Sequence, residues 1–136
     1  MDKDFDKWNE IKKATNAFSM LEGFYYRARE VWWCSIGLNV GVETDGKRIN
    51  FERPVLIVRK FNEDMFWGVP LTAKARHGPF YQKIRHQSGV SWAMLSQLRT
   101  FSSKRLLRKV EMISESQFRE VQKKLSMLLI KHETPP

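Results

Sequence analysis

A mainly apolar stripe first recurs with helical spacing at Phe5, Trp8, Ile11 or Lys12, Thr15 and Phe18, with Asp4 or Asp6 in place to cap. The stripe is narrow and its flanks are charged, which predicts an N-terminal helix laid across the outside of the domain. From Arg29 to Ile36 the pattern changes to a run of aromatic and β-branched residues, ended by Gly37, which predicts a strand. Pro54 to Lys60 reads as a second strand, with proline at the first residue, where no ladder donor is needed. Asn62-Glu63-Asp64 turns the chain into a third strand over Met65 to Ala73. Gly78-Pro79 begins a turn into a fourth strand over Phe80 to Arg85. His86-Gln87-Ser88-Gly89 then turns into a fifth, Val90 to Leu95.

Gln97 to Phe101 either continues that strand or bends away from it, and Ser102-Ser103 caps a helical turn over Lys104 to Leu107. Ser114-Glu115-Ser116-Gln117 has the capping-box form and opens a helix with Phe118, Val121, Leu125, Leu128 and Leu129 on one face. The tail after Lys131 is expected to fray. Short strands followed by one amphipathic helix predict a small, strongly bent sheet or barrel, mainly β with helices (α+β). The expected layout is one domain over 1–136: a helical extension over 1–22, the barrel over 27–112 and a C-terminal helix over 114–131.

At 136 residues the chain is long enough for one real core and no more. Lys and Arg number 24 against 15 Asp and Glu, a formal charge of +9, which favours nucleic acid or an acidic protein as partner. No segment approaches the roughly 20 apolar residues of a spanning helix, so no membrane role is expected. The first residues lack a secretory layout, and the expectation is a cytoplasmic protein. The single cysteine, Cys34, lies in an aromatic stretch and reads as a buried structural thiol.

The stretch from Asn39 to Lys74 concentrates the candidate chemistry. A polar, Gly-punctuated loop carries Glu43, Arg53-Pro54 leads into one apolar strand, and a second apolar strand ends on Thr72. A carboxylate, an arginine and a hydroxyl from neighbouring strand ends suit a reaction at phosphate. Arg53 can fork onto phosphate oxygens, Glu43 can move a proton and Thr72 can donate to a non-bridging oxygen. Alternatives stand beside each role: an ion pair of Arg53 with Glu52 or Glu43, a solvated loop carboxylate, and a strand threonine chosen for propensity.

Phosphate-cradling, dinucleotide and nucleophile-elbow motifs are absent. His77, His86 and His132 show no metal-ligand spacing, so neither metal nor cofactor is expected. His77 and His86 read as surface residues near a basic rim.

Taken in order, Glu30-Val31-Trp32-Trp33, Gly41-x-Glu43, Arg53-Pro54-Val55-Leu56-Ile57, Val69-Pro70-Leu71-Thr72, Gly78-Pro79-Phe80 and Gln97-Leu98-Arg99-Thr100 resemble the MazF/PemK family of toxin endoribonucleases. The resemblance runs from about Arg29 to the terminal helix. It implies a compact SH3-like barrel of the MazF/PemK/CcdB type, working as a homodimer and neutralised by an acidic antitoxin. It also implies metal-independent cleavage of single-stranded RNA by the 2′-hydroxyl, with Glu43, Arg53 and Thr72 as catalytic residues. Three departures stand out. Lys47 to Glu52 lengthen the loop and add a second arginine, Arg48. Ser102 replaces an acidic residue. The N-terminal helix has no counterpart in the shortest members.

The physical reading agrees with that mechanism, because attack by the 2′-hydroxyl needs no protein nucleophile. Arg48, Lys74, Arg76, Phe80, Lys83, Gln97 and Arg99 are the expected RNA contacts, the basic side chains for phosphate and Phe80 for stacking. Further basic residues, Arg85 among them and Lys104, Arg105, Arg108 and Lys109 before the last helix, extend the charged surface. An acidic, partly disordered antitoxin segment would compete for the same groove. Two other functions are compatible with the fold: a gyrase-poisoning toxin, disfavoured by the non-aromatic end Lys131 to Pro136, and a catalytically silent RNA-binding module.

Overall fold

The computed structural model describes residues 3–18, 25–48 and 50–130. Helix α1 (Phe5–Ala17) precedes strands β1 (Glu30–Ser35), β2 (Glu52–Lys60), β3 (Met65–Thr72), β4 (Tyr81–His86) and β5 (Gly89–Met94). A 3-10 turn (Leu95–Gln97) leads to β6 (Arg99–Ser102), and a second (Ser103–Arg105) to β7 (Leu106–Met112) and helix α2 (Glu115–Ile130). The sheet is antiparallel throughout, in the order β4-β5-β3-β2-β1-β7, with β6 also on β3.

Strand β3 divides one edge between two partners. Its first half pairs β6 from Met65 to Gly68, and its end pairs β5 at Leu71 and Thr72. The 3-10 turn at Leu95–Gln97 lets the chain leave one pairing and take up the other. Gln97 to Phe101 therefore bends away, and the bend is what rolls the sheet. Register shifts between Ile57 and Arg59, and at two places along β1, add local twist.

Both faces of the sheet are buried, which is why its central strands read as nearly unbroken apolar runs. Val31, Leu56, Val69 and Leu71 face one cluster, closed by Ile84 and Ala93 and by Phe118, Val121 and Leu125 of α2. Trp32, Cys34, Val55, Ile57 and Phe66 face the other, with Tyr26, Phe101 and Leu106. Leu128 and Leu129, expected on the buried face of α2, are exposed at 36% and 75%. The core ends a turn before the helix does.

Strand β7 replaces most of the helical turn expected over Lys104 to Leu107, which shrinks to Ser103–Arg105. Only Leu106 of β7 is buried, so the strand has no alternation to announce it. Its pairing with β1 makes it an outer strand of the sheet.

Helix α1 lies outside both clusters, seated by Trp8 and tied at its end by Lys104 Nζ, which donates to Asn16 O at 2.8 Å. Trp8 is 6% exposed and meets Phe51 edge-on at 5.7 Å. Its indole fills the space above Gly37, where a Cβ would fall 2.1 Å from ring carbons; the φ of +81° at Gly37 also suits glycine. At its start, Asp4 accepts from Lys7 N at 3.0 Å, and Lys3 Nζ reaches Asp45 at 2.9 Å. The helix therefore rests on the loop between β1 and β2. Among the described residues no helix is long and apolar enough to cross a membrane.

Candidate active site

The loop between β1 and β2 folds into two parts. Asn39 to Gly46 is closed by Asn39 N donating to the Asp45 carboxylate at 2.6 Å and Asn39 Nδ2 donating to Thr44 O at 2.8 Å. Gly46 sits against Phe51 so tightly that a Cβ would lie 1.6 Å from the Phe51 carbonyl oxygen. Lys47 and Glu52 close the base of a small hairpin at the two ends of the inserted segment, with reciprocal main-chain bonds of 2.8 and 2.7 Å between them. Arg48 and Phe51 take positive φ within it. The lengthened loop is thus a built element.

Arg53 emerges from that hairpin onto β2. Its Nε donates to Asp45 O at 2.8 Å and its Nη1 to Leu71 O at 3.2 Å. A guanidinium carries five N–H groups. Three are thus left without a protein acceptor among the described residues. Burial lowers the Arg53 pKa and the Asp45 carboxylate opposes that fall; an arginine in this setting stays charged. The ion pair with Glu52 or Glu43 is not what holds it: two carbonyls do.

Arg53 and Thr72 line one groove of about 410 Å³. The groove lies where the outermost strands of the rolled sheet approach each other. Trp33 and Arg48 wall one side, and Ser88 and Ser91 of the β4–β5 hairpin stand on the other. The Thr72 hydroxyl accepts from Lys74 N at 3.2 Å, which leaves its own proton to be donated. Lys47, Arg48, Arg53 and Lys74 face two carboxylates, Glu52 and Glu111, so the groove is net positive.

Glu52 is 6% exposed and binds Arg108 Nη2 at 2.8 Å, with Arg48 Nη1 at 3.7 Å. Both guanidinium groups lie over the Trp33 ring, Arg48 at 4.8 Å and Arg108 at 4.9 Å. The hydrogen bond to Glu52 raises the Arg108 pKa. One carboxylate therefore pins two cations to an indole.

Glu43 lies elsewhere. Its carboxylate accepts from Val40 N at 3.0 Å, and it lines a second cleft of about 370 Å³ with Gln97 and Arg99. Gln97 Oε1 accepts from Thr44 N at 3.1 Å, and Arg99 lies over the Phe101 ring at 4.8 Å. Adjacent residues of one loop thus serve two sites: Thr44 holds Gln97 in the second cleft, and Asp45 holds Arg53 in the first. Arg76, Phe80 and Lys83 are exposed and line neither.

His86 belongs to the first groove, although its sequence context suggested an outlying surface residue. It closes the β4 strand and its ring contacts Ser88, Ser91 and Glu111. No short motif links it to Arg53 or Thr72, because the sheet must roll before they meet. Among the described residues no three His, Cys, Asp or Glu side chains are grouped. The chain end weighed above, Lys131 to Pro136, lies outside the described residues.

A family model described as a PemK-like, MazF-like toxin of type II toxin–antitoxin systems matches residues 27–129. No curated protein sequence matches the chain. Among solved structures, the fold is similar to MazF (Form-I) from Deinococcus radiodurans, with a TM-score of 0.65 at 22% identity over 78% of this chain and 97% of that one. MazE-MazF (Form-II) from the same organism is similar at a TM-score of 0.62 and 18% identity, over 80% and 99% of the two chains. An endoribonuclease in complex with its cognate antitoxin, from a mycobacterial species, gives 0.60 and 14% over 81% and 100%. The shared feature is the α+β fold itself, a curled antiparallel sheet with helices.

Proposed function

This chain belongs to the PemK-like, MazF-like toxins of type II toxin–antitoxin systems, and from that premise we propose that it is a metal-independent endoribonuclease acting on single-stranded RNA in the cytoplasm. The observation that carries the reading is the meeting of Arg53 and Thr72 in one net-positive groove. Backbone carbonyls fix Arg53 from behind and leave N–H groups to bind phosphate.

The proposed reaction is attack of a 2′-hydroxyl on the adjacent phosphorus with expulsion of the 5′-oxygen. Charge builds on the non-bridging oxygens as the phosphorane forms. A pre-positioned guanidinium and a hydroxyl donor stabilise that charge without reorganising. Lys74 and Arg48 supply the longer-range attraction for the strand on either side, and exposed Arg76, Phe80 and Lys83 extend it outward. Glu43, Gln97 and Arg99, gathered in the neighbouring cleft, offer hydrogen-bonding groups to a base next to the scissile step. The requirement for a 2′-hydroxyl selects RNA over DNA.

The partner reading follows the same surface. The structural neighbours include a MazE-MazF complex and an endoribonuclease with its cognate antitoxin, which supports an acidic antitoxin segment as the inhibitor here, covering the positive groove of a homodimer.

The test is cleavage of single-stranded RNA in EDTA by the wild type and by Arg53→Ala. Cleavage by the wild type, lost in the variant, is the expected result. A DNA oligonucleotide cut at a comparable rate would end the mechanism. Binding of RNA without any cleavage would replace it with a silent RNA-binding module.

A further inference from the structure

A 2′-hydroxyl attacks phosphorus only if something accepts its proton. Glu43 stands in the second cleft. Within the groove itself, Glu52 is committed to Arg108 and Arg48. Arg53, Lys74, Lys47 and Arg48 are cations with no free lone pair at neutral pH. The other carboxylate of the groove, Glu111, lies 3.5 Å from His86 Nδ1, which leaves the imidazole it faces as the base with a nitrogen turned toward the Ser91 hydroxyl.

His86 is held in one orientation from two strands. Its Nδ1 lies 2.9 Å from Ser88 Oγ and 3.5 Å from Glu111 Oε1, and its Nε2 lies 3.0 Å from Ser91 Oγ. A carboxylate beside Nδ1 favours the proton on that nitrogen and leaves the Nε2 lone pair to accept. The group that Nε2 meets, the Ser91 hydroxyl, lines the same groove as Arg53 and Thr72.

We propose, on the reading that this groove cleaves RNA, that His86 is its general base, reached through the Ser91 hydroxyl and positioned by Glu111. The 2′-oxygen forms its bond to phosphorus as its proton passes to Ser91 Oγ and the Ser91 proton passes to His86 Nε2. The P–O5′ bond breaks, the 5′-oxygen takes a proton from water, and the imidazolium later returns its own to solvent. The products are a 2′,3′-cyclic phosphate and a 5′-hydroxyl, with no net change in protons. Glu111 stabilises the imidazolium that forms between the two steps. The competing explanation is purely architectural: His86 on β4 and Glu111 on β7 join the two ends of the sheet order, so their contact also closes the roll.

The two explanations separate in the same EDTA assay. His86→Gln is expected to lower cleavage about 100-fold or more, the usual scale for losing a general base. Its affinity for a non-cleavable 2′-deoxy oligonucleotide and its melting temperature should stay close to wild type. In His86→Ala, added imidazole should restore at least about tenfold of the lost rate, which no closing contact could produce. Glu111→Gln should lower kcat with little change in binding, and His77→Gln should leave cleavage unchanged. The proposal is overturned by His86→Gln cleaving within about threefold of wild type. It is equally overturned by a rate loss that follows weakened binding without imidazole rescue, or by unfolding of both His86 variants. A wild type that cuts no RNA is a separate outcome: it removes the nuclease reading, and this assignment goes with it.

Discussion

Arg53 donates its Nε–H to the main-chain carbonyl of Asp45, 2.8 Å away, while the Asp45 carboxylate is bound at 2.9 Å by Lys3. The catalytic candidate is therefore held by a residue that the N-terminal helix region also holds. If that anchoring matters, charge alone will not replace it. Arg53→Lys keeps the cation but cannot bridge both carbonyls and fork onto phosphate. Cleavage should fall about 10²–10³-fold in Arg53→Lys, the scale of losing one transition-state donor. A lysine variant within tenfold of wild type in single-turnover assays would contradict this.

Gly37 predicts the fate of α1. An alanine there places its Cβ 2.1 Å from the Trp8 ring and must also adopt a φ of +81°. The backbone term alone costs roughly 1–2 kcal/mol, and the indole must leave its seat. Gly37→Ala should make α1 far more sensitive to protease while the sheet keeps its far-ultraviolet spectrum. Equal protection of the helix in both proteins would show that Trp8 is not its anchor.

Glu52 neutralises charge that the groove could otherwise use. Glu52→Gln releases Arg48 and Arg108, both more than half exposed, at 65% and 52%. A 2′-deoxy oligonucleotide should bind the variant more tightly. The plot of log K against log salt should also steepen, by about 0.7 for each further phosphate contacted. An unchanged slope would mean that the two arginines never reach the strand.

Glu30 links folding to pH. Burial raises its pKa. Hydrogen bonds from Lys109 Nζ, Trp32 Nε1 and Arg27 N outweigh that and hold it below the ordinary 4.5. A carboxyl depressed on folding binds its proton more tightly when unfolded. Its contribution is thus full above pH 4.5 and lost as pH falls through the lower folded value. The melting-temperature advantage of wild type over Glu30→Gln should shrink between pH 6 and about pH 3. A gap that stays constant over that range would remove the linkage.

Cys34 is fully buried and burial pushes its thiol well above the ordinary 9.0. The native protein should react with Ellman's reagent only at the rate of its own opening, and stoichiometrically once unfolded. Fast native labelling would mean that the strand β1 face is not sealed.

Strands β4 and β5, with one buried side chain each, were legible from the turns that bound them, and β1 to β3 because each carries enough buried apolar side chains to show itself in one dimension. Arg53 and Thr72 were legible for the same reason: each sits at the edge of such a strand. Strand β7 was not, since pairing with β1 forms it while six of its seven side chains remain at least partly exposed. His86 and Glu111 come from the outermost strands, and only the roll of the sheet brings them to the groove. Glu43 was assigned by its place in a loop motif, whereas the folding of Asn39 to Gly46 decides which cleft it faces.

Neither apolar cluster contains a residue of α1, so the helix can peel away while the body of the domain stays intact. Heat or a competing ligand that unseats Trp8 would loosen the Asp45 tether to Arg53 before any strand melts. Release of that arginine and unfolding would then be two events, with the first reversible on its own.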